Sequence, residues 1–116
     1  MNGASPSYYF KYSPRHVYPM YLKIHRTPAG DEVVAVCDRE LLNVRIRQGD
    51  LEIHISEAFY GGALSTPEEV RTALSHAENA NLMGERSVAL AIDLGLIGKD
   101  GCIHIGSVPH AQIIRI

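Results

Sequence analysis

Between residues 20 and 56 the chain breaks into short β-forming runs parted by turns, and this limits its fold more than any other feature. "MYLKIHR" (20–26) alternates imperfectly, with Leu22 and Ile24 against Lys23 and His25. "TPAGDE" then carries the turn residues Pro28 and Gly30. The β-branched run "VVAVC" follows, short enough for a strand buried on both faces. Segments 20–26 and 32–37 therefore read as a hairpin. Val44 and Ile46 alternate with Arg45 and Arg47, "QGD" turns the chain, and "LEIHIS" alternates cleanly, with Leu51, Ile53 and Ile55 on one side. Segments 43–47 and 51–56 read as a second hairpin.

Helical signals follow. In "STPEEVRTALSHAENA", Thr66 is a natural N-cap, Pro67 takes the first helical position and Glu69 completes a capping box. Val70, Ala73, Leu74 and Ala77 then recur at helical spacing and form one apolar face. "NLMGERSVALAIDLGLI" reads as a second helix, capped by Asn79 or Asn81 and ended by Gly95 with Leu96 behind it. "CIHI" and "QIIRI" read as strands on either side of a bend at "GSVPHA". The order ββ-ββ-αα-ββ gives an α+β domain over residues 20–116, a mostly antiparallel sheet with two helices on one face.

Residues 1–19 differ from the rest. The stretch 7–26 holds five of six tyrosines, and no acid precedes Asp31. Lys11, Arg15, Lys23 and Arg26 give residues 1–30 a charge of +4, while seven basic and thirteen acidic residues give 31–116 a charge of −6. With Pro6, Pro14 and Pro19, residues 1–19 read as an extended arm. A basic, aromatic arm suits a polyanion: Lys11 and Arg15 would neutralise phosphate, while Tyr8, Tyr9, Phe10, Tyr12, Tyr18 and His16 would lie against bases. No run approaches ~18 apolar residues and residues 1–19 lack the apolar stretch of a secretory signal, so a cytoplasmic protein without a membrane partner is expected.

The segments "MYLKIHRTPAGDEVVAVCDRELL", "FYGG", "ANLMGERSVALAIDLGLI" and "IGSVPHAQIIRI", in this order, resemble the archaeal domain-of-unknown-function family 424 over about residues 20–116. The resemblance implies a small single-domain protein with no established reaction, and points to RNA or the translation apparatus. It leaves residues 1–19 as either a true arm or sequence upstream of a start at Met20.

Other segments offer candidate chemistry. Gly84 and Arg86, at the expected helix start, would let an anion approach backbone N–H groups, with Asn79 or Asn81 as caps. Phe59, Tyr60, Gly61 and Gly62 combine aromatic rings with exposed backbone, and His110 follows a proline at a bend where it would face a cleft. Cys37 with His110 would make a thiolate–imidazole pair, and Cys102 and His104 with His25 or His54 a zinc site. Neither has motif spacing, so no metal or cofactor is expected.

The leading expectation is a non-catalytic protein bound to structured RNA, ribosomal RNA first, with ribosomal proteins as neighbours and no DNA specificity. Lys23, Arg26, Arg45 and Arg47 would add phosphate contacts to those of the arm. The alternative is a small-molecule-binding protein or enzyme whose cleft joins Phe59–Gly62, Asn81–Arg86 and His110. A third class would dock a protein along the strand edge 111–116.

Overall fold

The computed structural model describes residues 17–115, so the expected arm contacts at Tyr8, Tyr9, Phe10, Lys11, Tyr12, Arg15 and His16 lie outside the described residues. Among the described residues there are eight strands: β1 (Met20–Arg26), β2 (Glu32–Asp38), β3 (Arg45–Gln48), β4 (Leu51–His54), β5 (Ala63–Ser65), β6 (Asn79–Met83), β7 (Ile103–Ile105) and β8 (Val108–Ile114). Three helices accompany them: a single turn α1 (Glu57–Tyr60), then α2 (Pro67–His76) and α3 (Glu85–Asp93). The main sheet runs β5-β1-β2-β6-β8-β7, and β3 with β4 forms a separate two-stranded sheet. Every neighbouring pair is antiparallel except β2 with β6. The α+β class, the single domain and both hairpins stand as the sequence indicates.

The helix ends show why these segments fold locally. Thr66 Oγ1 accepts the Glu69 N–H at 3.2 Å, and Glu69 Oε1 accepts the Thr66 N–H at 2.8 Å. Two otherwise orphaned donors are thus satisfied. At the end of α3, Gly95 turns left-handed with φ of 72°. Its N–H reaches Ile92 O, and the Leu96 N–H reaches Ala91 O. This is the paired closure that a glycine after the last turn allows.

One expectation is corrected. Residues 79–83 are not the start of a helix but the strand β6, held between β2 and β8. Ala80 and Leu82 are fully buried there, with Met83 nearly so. Two flanking strands supply every backbone partner, and that outweighs the helical leaning of Leu82 and Met83. Asn79 and Asn81 therefore cap nothing, and the helix begins only at Gly84. Residues 57–65, which carry no helical or strand periodicity, contain α1 and β5.

The sheet divides two cores. On one face α2 and α3 pack Val70, Leu74, Val88 and Ala91 onto Val34, Val36, Leu82, Ala111 and Ile113. On the other, α1 and the β3–β4 hairpin bring Ile55, Tyr60, Ile46 and Ile53 onto Ala35, Cys37, Met83, Val108 and Ile105. Among the described residues this second cover reaches only part of its face. Among the described residues no helix is long and apolar enough to cross a membrane.

Candidate functional site

The uncovered part of the second face carries an ordered set of polar side chains. Ala35, Cys37, Met83 and Val108 point to this side, since they belong to its core. Direct cross-strand partners share a face. Lys23 pairs with Ala35, Ala35 with Asn81, and Asn81 with Gln112. The next rung runs Tyr21, Cys37, Met83, His110, Ile103. Lys23 on β1, Asn81 on β6, and His110 and Gln112 on β8 therefore stand on one face, with Ala35 of β2 between Lys23 and Asn81. Gln112 is exposed, and the other three polar residues are half-buried.

Both histidines of this face have a defined tautomer. His110 Nδ1 lies 2.9 Å from Leu82 O, and His25 Nε2 lies 2.8 Å from Phe59 O. A carbonyl oxygen only accepts, so each of these nitrogens carries its proton. That leaves His110 Nε2 and His25 Nδ1 as acceptors. The His25 ring stacks on Phe59 at 4.7 Å with 15° between planes, and Phe59 meets Tyr60 edge-on at 4.9 Å. Lys23 Nζ donates to Ala58 O at 2.8 Å, which holds the ammonium beside α1. Gly62 is required by close approach: a Cβ there would lie 2.9 Å from Lys23 Cα.

A second arrangement lies at the start of α3. Gly84, its N-cap, has no side chain to accept the first N–H groups. Asp38, at the end of β2, does so instead. Its Oδ2 accepts the Arg86 N–H at 3.0 Å; its Oδ1 accepts the Ser87 N–H at 2.9 Å and the Ser87 hydroxyl at 2.8 Å. Burial raises the Asp38 carboxyl above the ordinary range, against the downward pull of these hydrogen bonds. The Arg86 guanidinium, raised mainly by its hydrogen bond to Glu40, grips that carboxylate at 2.6 and 2.8 Å. A depression of about 330 Å³ opens beside this cap, lined by Asp38, Glu40, Leu41, Gly84, Glu85, Ser107, Val108 and Pro109.

These positions sort the expected residues. Phe59, Asn81 and His110 of the expected cleft share one sheet face with Lys23 of the expected RNA contacts. Tyr60 is buried beneath them, its hydroxyl pushed up to about 12 by burial and by Cys37. Gly61 closes α1. Asn79 lies on β6 at the same face, toward the end of the strand, with a buried Oδ1 that has no hydrogen-bond partner. Gly84 and Arg86 belong to the other arrangement, and the anion place foreseen at this helix start is filled by the chain's own Asp38. His110 sits within β8, not at a bend.

Among the described residues the arginines of the expected RNA contacts are paired with acids rather than joined in a strip. Arg26 pairs with Glu32, Arg45 and Arg47 both approach Glu52, and Tyr18 is exposed just before β1. Sequence reasoning missed Asp38 and Gln112. An acid closing a buried β-run was the one available sign for Asp38, and an alternating polar position the one for Gln112.

The thiol readings meet geometry too. Cys37 is fully buried, with its thiol pushed up to about 12 by burial, Asp38 and Glu40. Met83 separates it from His110 on the rung. Native protein at pH 8 should therefore expose at most one of its two cysteines, Cys102, to a thiol-reactive dye. Cys37 should react only after unfolding; rapid modification of both in native conditions would contradict this environment. Among the described residues, no three His, Cys, Asp or Glu side chains are grouped to hold a metal ion.

Residues 25–116 match the family described as "Protein of unknown function (DUF424)". A solved structure, an uncharacterized conserved protein from Methanopyrus kandleri, is similar at 34% identity and a TM-score of 0.69. The match covers 84% of this chain and 93% of that one. No curated protein matches significantly.

Proposed function

The chain belongs to this family of unknown function, DUF424, and from that premise we propose that it is a non-catalytic RNA-associated protein whose uncovered sheet face receives unpaired bases of a structured RNA, ribosomal RNA first. The observation that carries this reading is the set Lys23, Asn81, Gln112 and His110 on β1, β6 and β8 of one face. Amide side chains offer paired donors and acceptors to base edges, and His110 Nε2 adds an acceptor. The His25–Phe59 stack borders the set with aromatic surface. The face is open, which suits an extended strand better than an enclosed metabolite. Lys23 supplies a phosphate contact, and the basic residues before it, Lys11 and Arg15, would supply more.

The acidic remainder of the chain makes binding local and salt-sensitive. With the full-length protein and single-stranded RNA oligomers, fluorescence anisotropy should show affinity falling steeply with salt. Lys23→Ala should reduce the slope of log affinity against log salt by about one. Asn81→Ala with Gln112→Ala should weaken binding by about tenfold or more and leave that slope unchanged. Absence of binding at low salt to every oligomer and to purified ribosomal subunits would end this reading.

A second reading rests on a different observation, the 330 Å³ depression between Asp38, Gly84 and Ser107. Glu85 lines it beside Asp38 and Glu40, whose carboxylates already share Arg86, and this acidic lining would favour a small cationic ligand. A thermal-shift screen with polyamines and amino acids tests it, because a ligand specific to the native state raises the melting temperature.

A further inference from the structure

We infer that β8 is a self-association edge, at which a second copy of this chain pairs antiparallel across a two-fold axis. The inference is independent of the RNA reading. β8 is longer than its outer neighbour: β6 pairs with His110 to Ile114, whereas β7 pairs only with Val108, Pro109 and His110. On the side away from β6, the strand beyond His110 has no partner among the described residues.

The direction of its peptide groups can be read from its bonds. Pro109 O accepts the Gly84 N–H, and the Arg115 N–H reaches Glu78 O, so odd-numbered residues point their backbone groups toward β6. Alternation turns Gln112 and Ile114 outward. Each presents one donor and one acceptor along the open edge.

Among the described residues, nothing guards this edge between Ala111 and Ile114. Natural edge strands are blunted by charge, proline or a bulge. Ala111, Gln112, Ile113 and Ile114 carry no charge and no proline, and the pairing with β6 is unbroken through them. Ile114 is 64% exposed and Ile103, at the end of β7, is 61% exposed. A notch of about 230 Å³ separates them where β7 stops, lined by Gly101, Ile103, His110, Ala111 and Gln112.

Charge and symmetry select the occupant. Residues 102–114 hold no Lys, Arg, Asp or Glu, so two copies that meet edge to edge here bring no like charges together, and the outward donors and acceptors of the strand complement themselves. An antiparallel pair is isologous: the same residues serve on both chains, and the axis closes the assembly at two. Gln112 and Ile114 of one copy then face the same pair on the other, with Ile114 and Ile103 removed from water. The axis is perpendicular to the sheet, which places both uncovered faces on one side and extends the polar row into the second copy.

Sedimentation velocity of the full chain over a range of concentrations tests this. A monomer–dimer equilibrium is expected. Ile114→Lys, which adds a charge to the edge, and Gln112→Pro, which removes an outward N–H and no bond to β6, should each weaken it by about tenfold or more. Their circular dichroism should match the parent. Hydrogen exchange of the unaltered chain adds a readout that needs no variant: the Gln112 and Ile114 amides should slow as concentration rises. A monomer at every concentration, a dimer indifferent to both substitutions, or edge amides that exchange equally fast at all concentrations would overturn the inference.

Discussion

Gly84→Ala should be the most damaging single-methyl change in the protein, lowering stability by about 4 kcal/mol. Two effects combine. Gly84 sits at φ of 109° and ψ of 161°, a region that side-chain-bearing residues enter only under strain of about 1–3 kcal/mol. Its missing Cβ is also where the Asp38 carboxylate lies: both carboxylate oxygens would be 2.6 Å from an added methyl. The carboxylate would have to leave the N–H groups of Arg86 and Ser87. For a domain of this size the melting temperature should fall by about 20 °C. Because the two residues touch, the effects of Gly84→Ala and Asp38→Ala should not add. The double variant should be more stable than the sum of the singles predicts by about 1 kcal/mol or more. Strict additivity in thermal or urea unfolding would show that the clash is relieved without disturbing the cap.

Asp38→Ala should cost about 3 kcal/mol. The substitution removes the acceptor of three hydrogen bonds and strands the Ser87 N–H and hydroxyl, on a residue that is fully buried. A buried donor left without a partner costs about 1–3 kcal/mol. Asp38→Asn keeps the shape but sets an amide N–H against a backbone N–H, so it should fall between Ala and the parent. The pair also isolates the ionisation. The folded Asp38 carboxyl is raised above its unfolded value of ~3.9, so the folded state holds the proton more tightly. Its contribution is therefore greatest below the unfolded value, declines as pH climbs to the raised folded value, and is level above it. Urea unfolding of parent and Asp38→Asn should show their stability difference shrinking through that acidic window. A difference that grows with pH there would mean that the hydrogen bonds outweigh burial.

The same cap explains where sequence reasoning reached and where it stopped. The start of α2 was legible because every part of it is local: Thr66, Pro67 and Glu69 lie within one turn and satisfy one another. The end of α3 was legible for the same reason, through Gly95 and Leu96. The start of α3 was misplaced onto Asn79 and Asn81, because its true cap is a carboxylate from β2 that no local rule can find. Residues 79–83 were misread for a related cause, since their state depends on β2 and β8 being present on both sides.

The candidate RNA face divides the same way. From the sequence, Asn81 and His110 are placed in one expected cleft, and Lys23 stands apart from them as a phosphate contact. Only the register of β1, β2, β6 and β8 makes them neighbours. Gln112 went unremarked because an exposed glutamine in a strand has no signature of its own.

By itself, then, the amino-acid sequence determined the α+β class, the two hairpins, the start of α2 and the end of α3. These follow from side-chain alternation, turn residues and capping, all of which act over a few residues. Tertiary structure alone decided that residues 79–83 enter the sheet, that Asp38 closes α3, that part of one sheet face is left uncovered among the described residues, and that the outer edge of β8 outruns β7. Each of these depends on which distant strands lie side by side, and that is settled by the burial of whole faces against one another.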